Sequence, residues 1–549
     1  MAAVQEALDR LDEETKDNIA RALWMTRFEK ERLPKDVLEH LASDKNSNEA
    51  FAKRMQYRLQ DLLKHRDSFT PSYRKRYETL IEHSGSLSPH QAYAMNDFLG
   101  LDSSRGYQEI PEKADIQLPR DHVPQFRNQV GWHFFAGSCT GRNGKEYGVE
   151  LVFWQSSLLS PTIAEHFGLS DIENQIIELQ LAVSEAGERH YQTKPVVVAG
   201  TTGLVDFIHD PFTYNLGKNT IRSLQHGSLF PLQLQAKGTD FGVSPPVAIE
   251  IDLTFSSAKQ PFLQGKNGCL PCCSGIGTLY YSIPNLRLDP ARSRLRVKGD
   301  EVALAGGKFW FDHQWCTGFM PSGNPRANVL RAASNLAKPL PGGWDWFMAQ
   351  FDDDRELAVA AVHTNEKLAF YEQAGANPPR IMTADIIGKF VDKDNRVADV
   401  RGTLDVTEWH KSGKSPDLTL YPITSTWYPN KWQFRFGPEV PEEIRDFTME
   451  PFVQTGQNAF FAHGPEYSEG AVYLKDEKGK TIGRGFAEST AYANTTKYTL
   501  RLAGLPDTRE ILDLVRRPSS SSLLKLYSFL YLNWPPNKRE LMRLLPSCI

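Results

Sequence analysis

Between about residues 105 and 505 the chain returns again and again to one texture: apolar and polar side chains alternate for a short run, then a turn intervenes. "KEYGVELVFWQ" (145–155), "VAIEIDLTFSS" (247–257), "TLYYSIPNLRL" (278–288), "WDWFMAQFDDDRELAVAAVH" (344–363) and "EGAVYLKDEKGKTIGRGFAES" (469–489) all show it. A period of two sends successive side chains to opposite faces of a strand. The breaks carry Gly, Asn and Asp, as in "GRNGKE", "DDDRE" and "DEKGK", which is the chemistry of tight turns. Strands in such number point to barrels or sandwiches. Roughly four hundred residues is too much for one small barrel, so a mainly β protein with two barrels is expected, at 105–320 and 321–505.

The flanks read differently. In "VQEALDRLDEETKDNIARALWMTRFEKE" and "NEAFAKRMQYRLQDLLKHR" apolar residues fall three and four apart between charges, the helical period. "TPSYRKRYETLIEHSG" starts on Thr-Pro and stops at a glycine. A helical N-terminal extension over 1–104 is therefore expected, as a cap or docking module with no chemical constellation of its own. After "RRPSSSS", a flexible joint, residues 506–549 read as a short helical C-terminal tail.

Composition narrows the partners. A formal charge of -4 lacks the basic footprint of a nucleic-acid binder, so none is expected. The longest apolar run, "LLKLYSFLYLNW" (523–534), falls short of the roughly 18 residues that span a bilayer. Its basic-and-apolar asymmetry gives only a weak case for membrane contact. The acidic, amphipathic N-terminus is no secretory signal, so a cytoplasmic location is expected. There the six cysteines would be free thiols. "CLPCC" (269–273) has a CxxC spacing but no second pair to complete a zinc site, and no metal is expected. The aromatic share of 11%, with 11 Trp and 30 Phe, asks for large apolar surfaces, either sheet cores or a greasy ligand cavity.

One strand concentrates chemistry. "FWFDHQWCTG" (309–318) places Asp312, His313 and Trp315 within an aromatic run. As a strand it puts Phe309, Phe311, His313 and Trp315 on one face and Trp310, Asp312 and Gln314 on the other. Spacing alone fits an ordinary buried strand whose polar groups are hydrogen-bonded in the core. It also fits a site. A carboxyl among indoles is desolvated and holds its proton towards neutrality. Indole faces stabilise developing positive charge, and a neighbouring imidazole can relay a proton or position water. Such a set suits protonation of an alkene followed by capture of the cation, or polarisation of a dienophile. Elsewhere His363, His410 and His463 are isolated, and no nucleophile elbow, dinucleotide fingerprint or phosphate loop stands at a strand–helix junction. Glu469 and Glu488 lie in late strands that could fold against the first barrel, or could serve surface salt bridges.

The ordered set "GWHFFAG…TGRNGKEYGVELVFW", "YYSIPNLRL…GDEVALAGGKFWFDHQW", "GGWDWFMAQFDDDREL", "WYPNKWQF" and "EGAVYLKD…GRGFAES" resembles the carotenoid 1,2-hydratase (hydroxyneurosporene synthase) and AttH-like family, to which kievitone hydratases are similar. The resemblance covers about residues 125–495. It implies two lipocalin-like barrels side by side, a lipophilic site walled by aromatics, and water addition across an isoprenoid double bond without a cofactor. Carried over by position, it implies Asp312 as the acid and His313 as its partner. The resemblance also places Trp315 beside them and Trp344 and Trp346 in the wall; beyond what it carries over, Trp132, His133, Trp154, Tyr281, Glu469 and Glu488 are further candidates for lining the substrate site. The chain departs from the family at Gly131–Phe134, where a glutamate is lost and His133 enters, and at Cys316, which replaces a glycine. These departures imply a specialised substrate.

The expectation is therefore a cofactor-free enzyme of lyase or isomerase type acting on a terpenoid or polyene. A Diels–Alderase-type pericyclase, in which proximity and orientation do most of the work, and a non-catalytic carrier of lipophilic metabolites are the two alternatives.

Overall fold

The computed structural model describes residues from 107 to 490 with interruptions, the widest at 318–340, 365–377 and 412–426. The expected helical extension (1–104) and helical tail (506–549) lie outside the described residues. Within them the protein is mainly β, with single 3-10 turns at Arg120–His122 and Glu442–Ile444. No helix among the described residues is long and apolar enough to cross a membrane.

The strands form two antiparallel sheets. The first, of sixteen strands, runs from Val130–Gly141 to Leu304–Cys316 in sequence and pairs these two strands side by side. Glu146–Ser157 and then Gln175–Glu185 follow on one flank, Gly277–Leu288 on the other. The sheet curls until its Arg189–Gln192 end meets the Leu232–Asp240 strand, where the Lys194 amide donates to the Thr239 carbonyl at 3.1 Å and the Gln192 amide to Asp240 Oδ2 at 3.2 Å. The second sheet runs from Pro341–Phe351 to Thr481–Thr490. Pairing of Asp446–Pro451 with Glu466–Lys475 closes eight of its strands into a barrel. Of the two barrels expected, one is present as a closed barrel, and the other region is a larger, curled sheet.

Alternation decides where each side chain goes. The odd-numbered residues Phe135, Leu151, Phe153, Leu179, Tyr281, Phe311 and Trp315 fill the inside of the first sheet. Phe347, Val359, Leu404, Phe434 and Phe447 fill the second barrel. The even-numbered set of the first sheet is also buried, because the second barrel packs on it. Phe134, Val152, Trp154 and Trp310 meet Trp346, Met348, Ala471 and Phe486 in a third core between the sheets. Burial on both faces explains why aromatics occupy both parities of "FWFDHQW".

The contact is close and tied by polar groups. A Cβ on Gly148 would collide with that of Ala471 across the gap, so glycine is needed at this contact between the sheets. The Lys259 ammonium, buried, lies 3.4 Å from Glu356 Oε2 and donates to the Asp392 carbonyl. Asn285 Nδ2 donates to Glu356 Oε1 at 2.8 Å, and Tyr473 Oη to Glu146 Oε2 at 2.8 Å.

Candidate active site between the sheets

Asp312 lies near the middle of the Leu304–Cys316 strand on the face that meets the second barrel, and is 2 % exposed. Register places Phe134 on one neighbouring strand and Ser282 on the other beside it. Both of its oxygens are occupied. Oδ1 accepts from the Trp310 indole at 2.6 Å and from the Ser282 hydroxyl, and Oδ2 accepts from Tyr280 Oη at 2.6 Å and from the Trp346 indole at 3.3 Å. Trp346 belongs to the Pro341–Phe351 strand, so the second barrel supplies one of the four donors. Burial lifts the carboxyl towards its neutral form, and the four donors pull it back, leaving it at about 6. A group poised there gives up or takes up a proton close to neutrality.

Other acids face it. Glu488 sits beside Trp346 in register, and Glu469 beside Glu488. Glu469 is 1 % exposed and neither of its oxygens has a hydrogen-bond partner. Burial, then the charges of Glu150, Glu488 and Asp312, hold it well above the usual carboxylate range. Glu150, from the first sheet, is lifted by burial to about 7. Glu488 is half-buried and also raised, first by burial. The remaining aromatic surface comes from Trp132 and Trp154, stacked at 4.7 Å between ring centroids, and from half-buried Trp344. Apolar walls around a few convergent polar groups are the make-up of a small-molecule site.

His313 does not belong to this layer. It points into the first sheet, where its ring stacks on His133 at 3.9 Å and its Nδ1 lies 3.3 Å from Tyr281 Oη. Tyr281 Oη also meets His122 Nδ1 at 2.7 Å, and His133 Nε2 lies 2.8 Å from the His122 carbonyl. Burial depresses all three imidazoles, His122 and His133 to about 4, so they are neutral. Trp315 packs on His313 at 4.7 Å. They form a hydrogen-bonded plug within the first sheet.

The residues singled out in the sequence therefore divide by face. Asp312, Trp132, Trp154, Trp344, Trp346, Glu469 and Glu488 come together between the sheets. His313, His133, Tyr281 and Trp315 do not join them, and the pairing of Asp312 with His313 as acid and partner fails because adjacent strand residues point in opposite directions. Nor does Glu469 serve a surface salt bridge. Sequence reading missed Tyr280, Ser282 and Glu150 as well as the donor role of Trp310; Tyr280 and Ser282 share a parity in "YYSIP", but only strand register brings them to Asp312. Cys269 is a free thiol, Cys272 and Cys273 lie outside the described residues, and among the described residues no group of three or more His, Cys, Asp or Glu is disposed to hold a metal ion.

A family model described as AttH-like matches residues 109–492. Among solved structures, a protein described as AttH from Nitrosomonas europaea is similar at 16% identity and a TM-score of 0.49, over 70% of this chain and 99% of that one. Kievitone hydratase from Nectria haematococca is similar at 13% identity and a TM-score of 0.43, over 70% and 96% of the two chains. CghA in complex with Sch210972 is similar at 10% identity and a TM-score of 0.29, over 71% and 97%. No curated protein sequence matches the chain.

Proposed function

The chain belongs to the AttH-like family, and from the chemistry of its inter-sheet layer we propose that it is a cofactor-free enzyme of lyase or isomerase type acting on a lipophilic terpenoid or polyene. The observation that carries the reading is Asp312, a buried carboxyl held at about 6 by two indoles, a phenol and a hydroxyl in an aromatic layer. Apolar walls of Trp132, Trp154, Trp344 and Trp346 suit a hydrocarbon, and the acids suit proton transfer to or from it. A carbocation formed there would be met by the Asp312 charge and by indole rings. Water capture of that cation gives hydration; attack by a second double bond, or loss of a neighbouring proton, gives a cyclised or isomerised product.

Replacing Asp312 by Asn keeps the size and the acceptor oxygen but removes the titrating group. Turnover of a polyene substrate is expected to fall by about 10²–10⁴-fold, the usual contribution of general acid–base catalysis. Wild-type turnover in Asp312→Asn would remove proton transfer at this residue from the mechanism. Product oxygen labelled from heavy-oxygen water identifies hydration. An unlabelled isomer formed at an undiminished rate in Asp312→Asn, but lost on reshaping the Trp132–Trp154 wall, supports a cycloaddition governed by cavity shape.

A further inference from the structure

We propose that Glu469 is the proton donor of the inter-sheet site and that Asp312 works opposite it as the carboxylate; this rests on reading the layer as the place of reaction. The two groups differ in what surrounds them. All four partners of Asp312 donate to it. An indole N–H has no acceptor capacity. The Ser282 oxygen already accepts from Gln264 Nε2 at 2.8 Å, which leaves its own hydrogen for Asp312. A proton on Asp312 would have to displace one of these donors, so the array fits an ionised carboxylate.

Glu469 has the opposite surroundings. Neither oxygen has a hydrogen-bond partner among the described residues, and its electrostatic neighbours Glu150, Glu488 and Asp312 are all acids. An ionised Glu469 would be a buried charge without a counterion, among like charges; the neutral acid avoids that cost. Its O–H is not committed to any acceptor among the described residues. Burial and those neighbours hold Glu469 well above its usual range while Asp312 stands at about 6. Two carboxyls whose environments push them apart in this sense divide into an acid and a base.

Glu150, one of those neighbouring acids, lies beside Tyr467. Its hydroxyl lies 2.6 Å from Gln180 Oε1 and 3.2 Å from Glu150 Oε1, but has one proton to give. Gln180 Nε2 donates to Glu178 Oε1 at 2.9 Å, which turns the amide oxygen towards Tyr467. The Tyr467 hydroxyl is thus shared between Gln180 and Glu150, and burial still lifts the Glu150 carboxyl to about 7. Glu150 and Glu488, both raised by burial, are among the acids whose charges act on Glu469, and half-buried Glu488 is the more exposed of the two.

The step balances without an oxidant or reductant. The alkene π pair takes the Glu469 proton, forming a C–H bond and leaving a cation on the adjacent carbon and a carboxylate on Glu469. For hydration, water forms the C–O bond and its surplus proton returns to Glu469. For isomerisation or cyclisation, a proton lost from carbon returns there instead.

Infrared spectroscopy of the protein without substrate tests the assignment. At pH 7 the wild type should show neutral-carboxyl absorption, part of which disappears in Glu469→Gln and none in Asp312→Asn. Absorption untouched by Glu469→Gln, or removed by Asp312→Asn, would overturn it. Should Glu469→Gln fail to fold, a Glu150→Gln/Glu488→Gln variant must keep the part of the absorption that belongs to Glu469, and complete loss there overturns the proposal. Polyene turnover separates the two levels. Glu469→Gln should lower kcat by about 10²–10⁴-fold. Full activity in Glu469→Gln with loss in Asp312→Asn refutes the donor alone; full activity in both refutes the site.

Discussion

At the scale of single residues, the donors around Asp312 set its titration. Each favours the charged form and offsets part of the burial. Removing one should therefore raise the carboxyl above about 6. Trp346→Phe deletes the indole N–H that reaches across from the second barrel and keeps an aromatic ring in place. The pH–rate profile of that variant is expected to shift its Asp312 limb to higher pH; an unmoved limb would separate Trp346 from the titration. Ser282→Ala should act in the same direction and more strongly, since burial leaves Asp312 no water to replace the lost donor. A hydrogen bond to a charged group contributes about 1.5–3 kcal/mol, so a shift of roughly one to two pH units is expected.

At the scale of the strand, alternation was the legible part. The odd and even residues of "FWFDHQW" separate in the fold as the period of two requires, and that same period forbids Asp312 and His313 from working as neighbours on one face. Register was not legible. Ser282 meets Asp312 because the Gly277–Leu288 strand pairs with Leu304–Cys316 with an irregularity between Ile283 and Leu286, a feature with no local sequence signal. The burial of Glu469 depended on something more distant still, the docking of two sheets, so its sequence looked like that of a surface acid. Docking itself makes a prediction at Gly148, where a side chain would strike Ala471. Gly148→Val should force the sheets apart, with loss of activity and slower-sedimenting, expanded protein in solution scattering, while each sheet keeps its circular dichroism. Wild-type dimensions and activity in that variant would mean the gap tolerates a side chain.

At the scale of the whole molecule, two buried populations act on stability in opposite directions as pH changes. His122 and His133 titrate near 4 when folded and near 6.5 when unfolded, so the unfolded chain binds more protons between those values and stability falls as pH falls through them. Glu150 is the reverse: at about 7 when folded, against 4.5 when unfolded, it binds its proton more tightly in the native state and costs stability as pH rises from 4.5 to 7. His133→Phe should remove about 3 kcal/mol of the loss between pH 6.5 and 4, and Glu150→Gln a similar amount of the loss between 4.5 and 7. Chemical denaturation at a series of pH values reads both, and parallel curves for variant and wild type would contradict the burial of these groups. The junction between the sheets carries its own test, because Lys259→Met strands Glu356 without its cation. A loss of about 3–5 kcal/mol is expected from breaking a buried pair, with one unfolding transition separating into two in calorimetry.

Conversion of acyclic isoprenoid polyenes and tethered diene–enones in heavy-oxygen water, followed by mass spectrometry for wild type and Asp312→Asn side by side, tests directly whether the layer between the sheets is a proton-transfer site. The wild type should convert at least one such compound, to a labelled alcohol or an unlabelled isomer, and Asp312→Asn should be slower by about a hundredfold or more. Equal rates for these two proteins and for Glu469→Gln would contradict it.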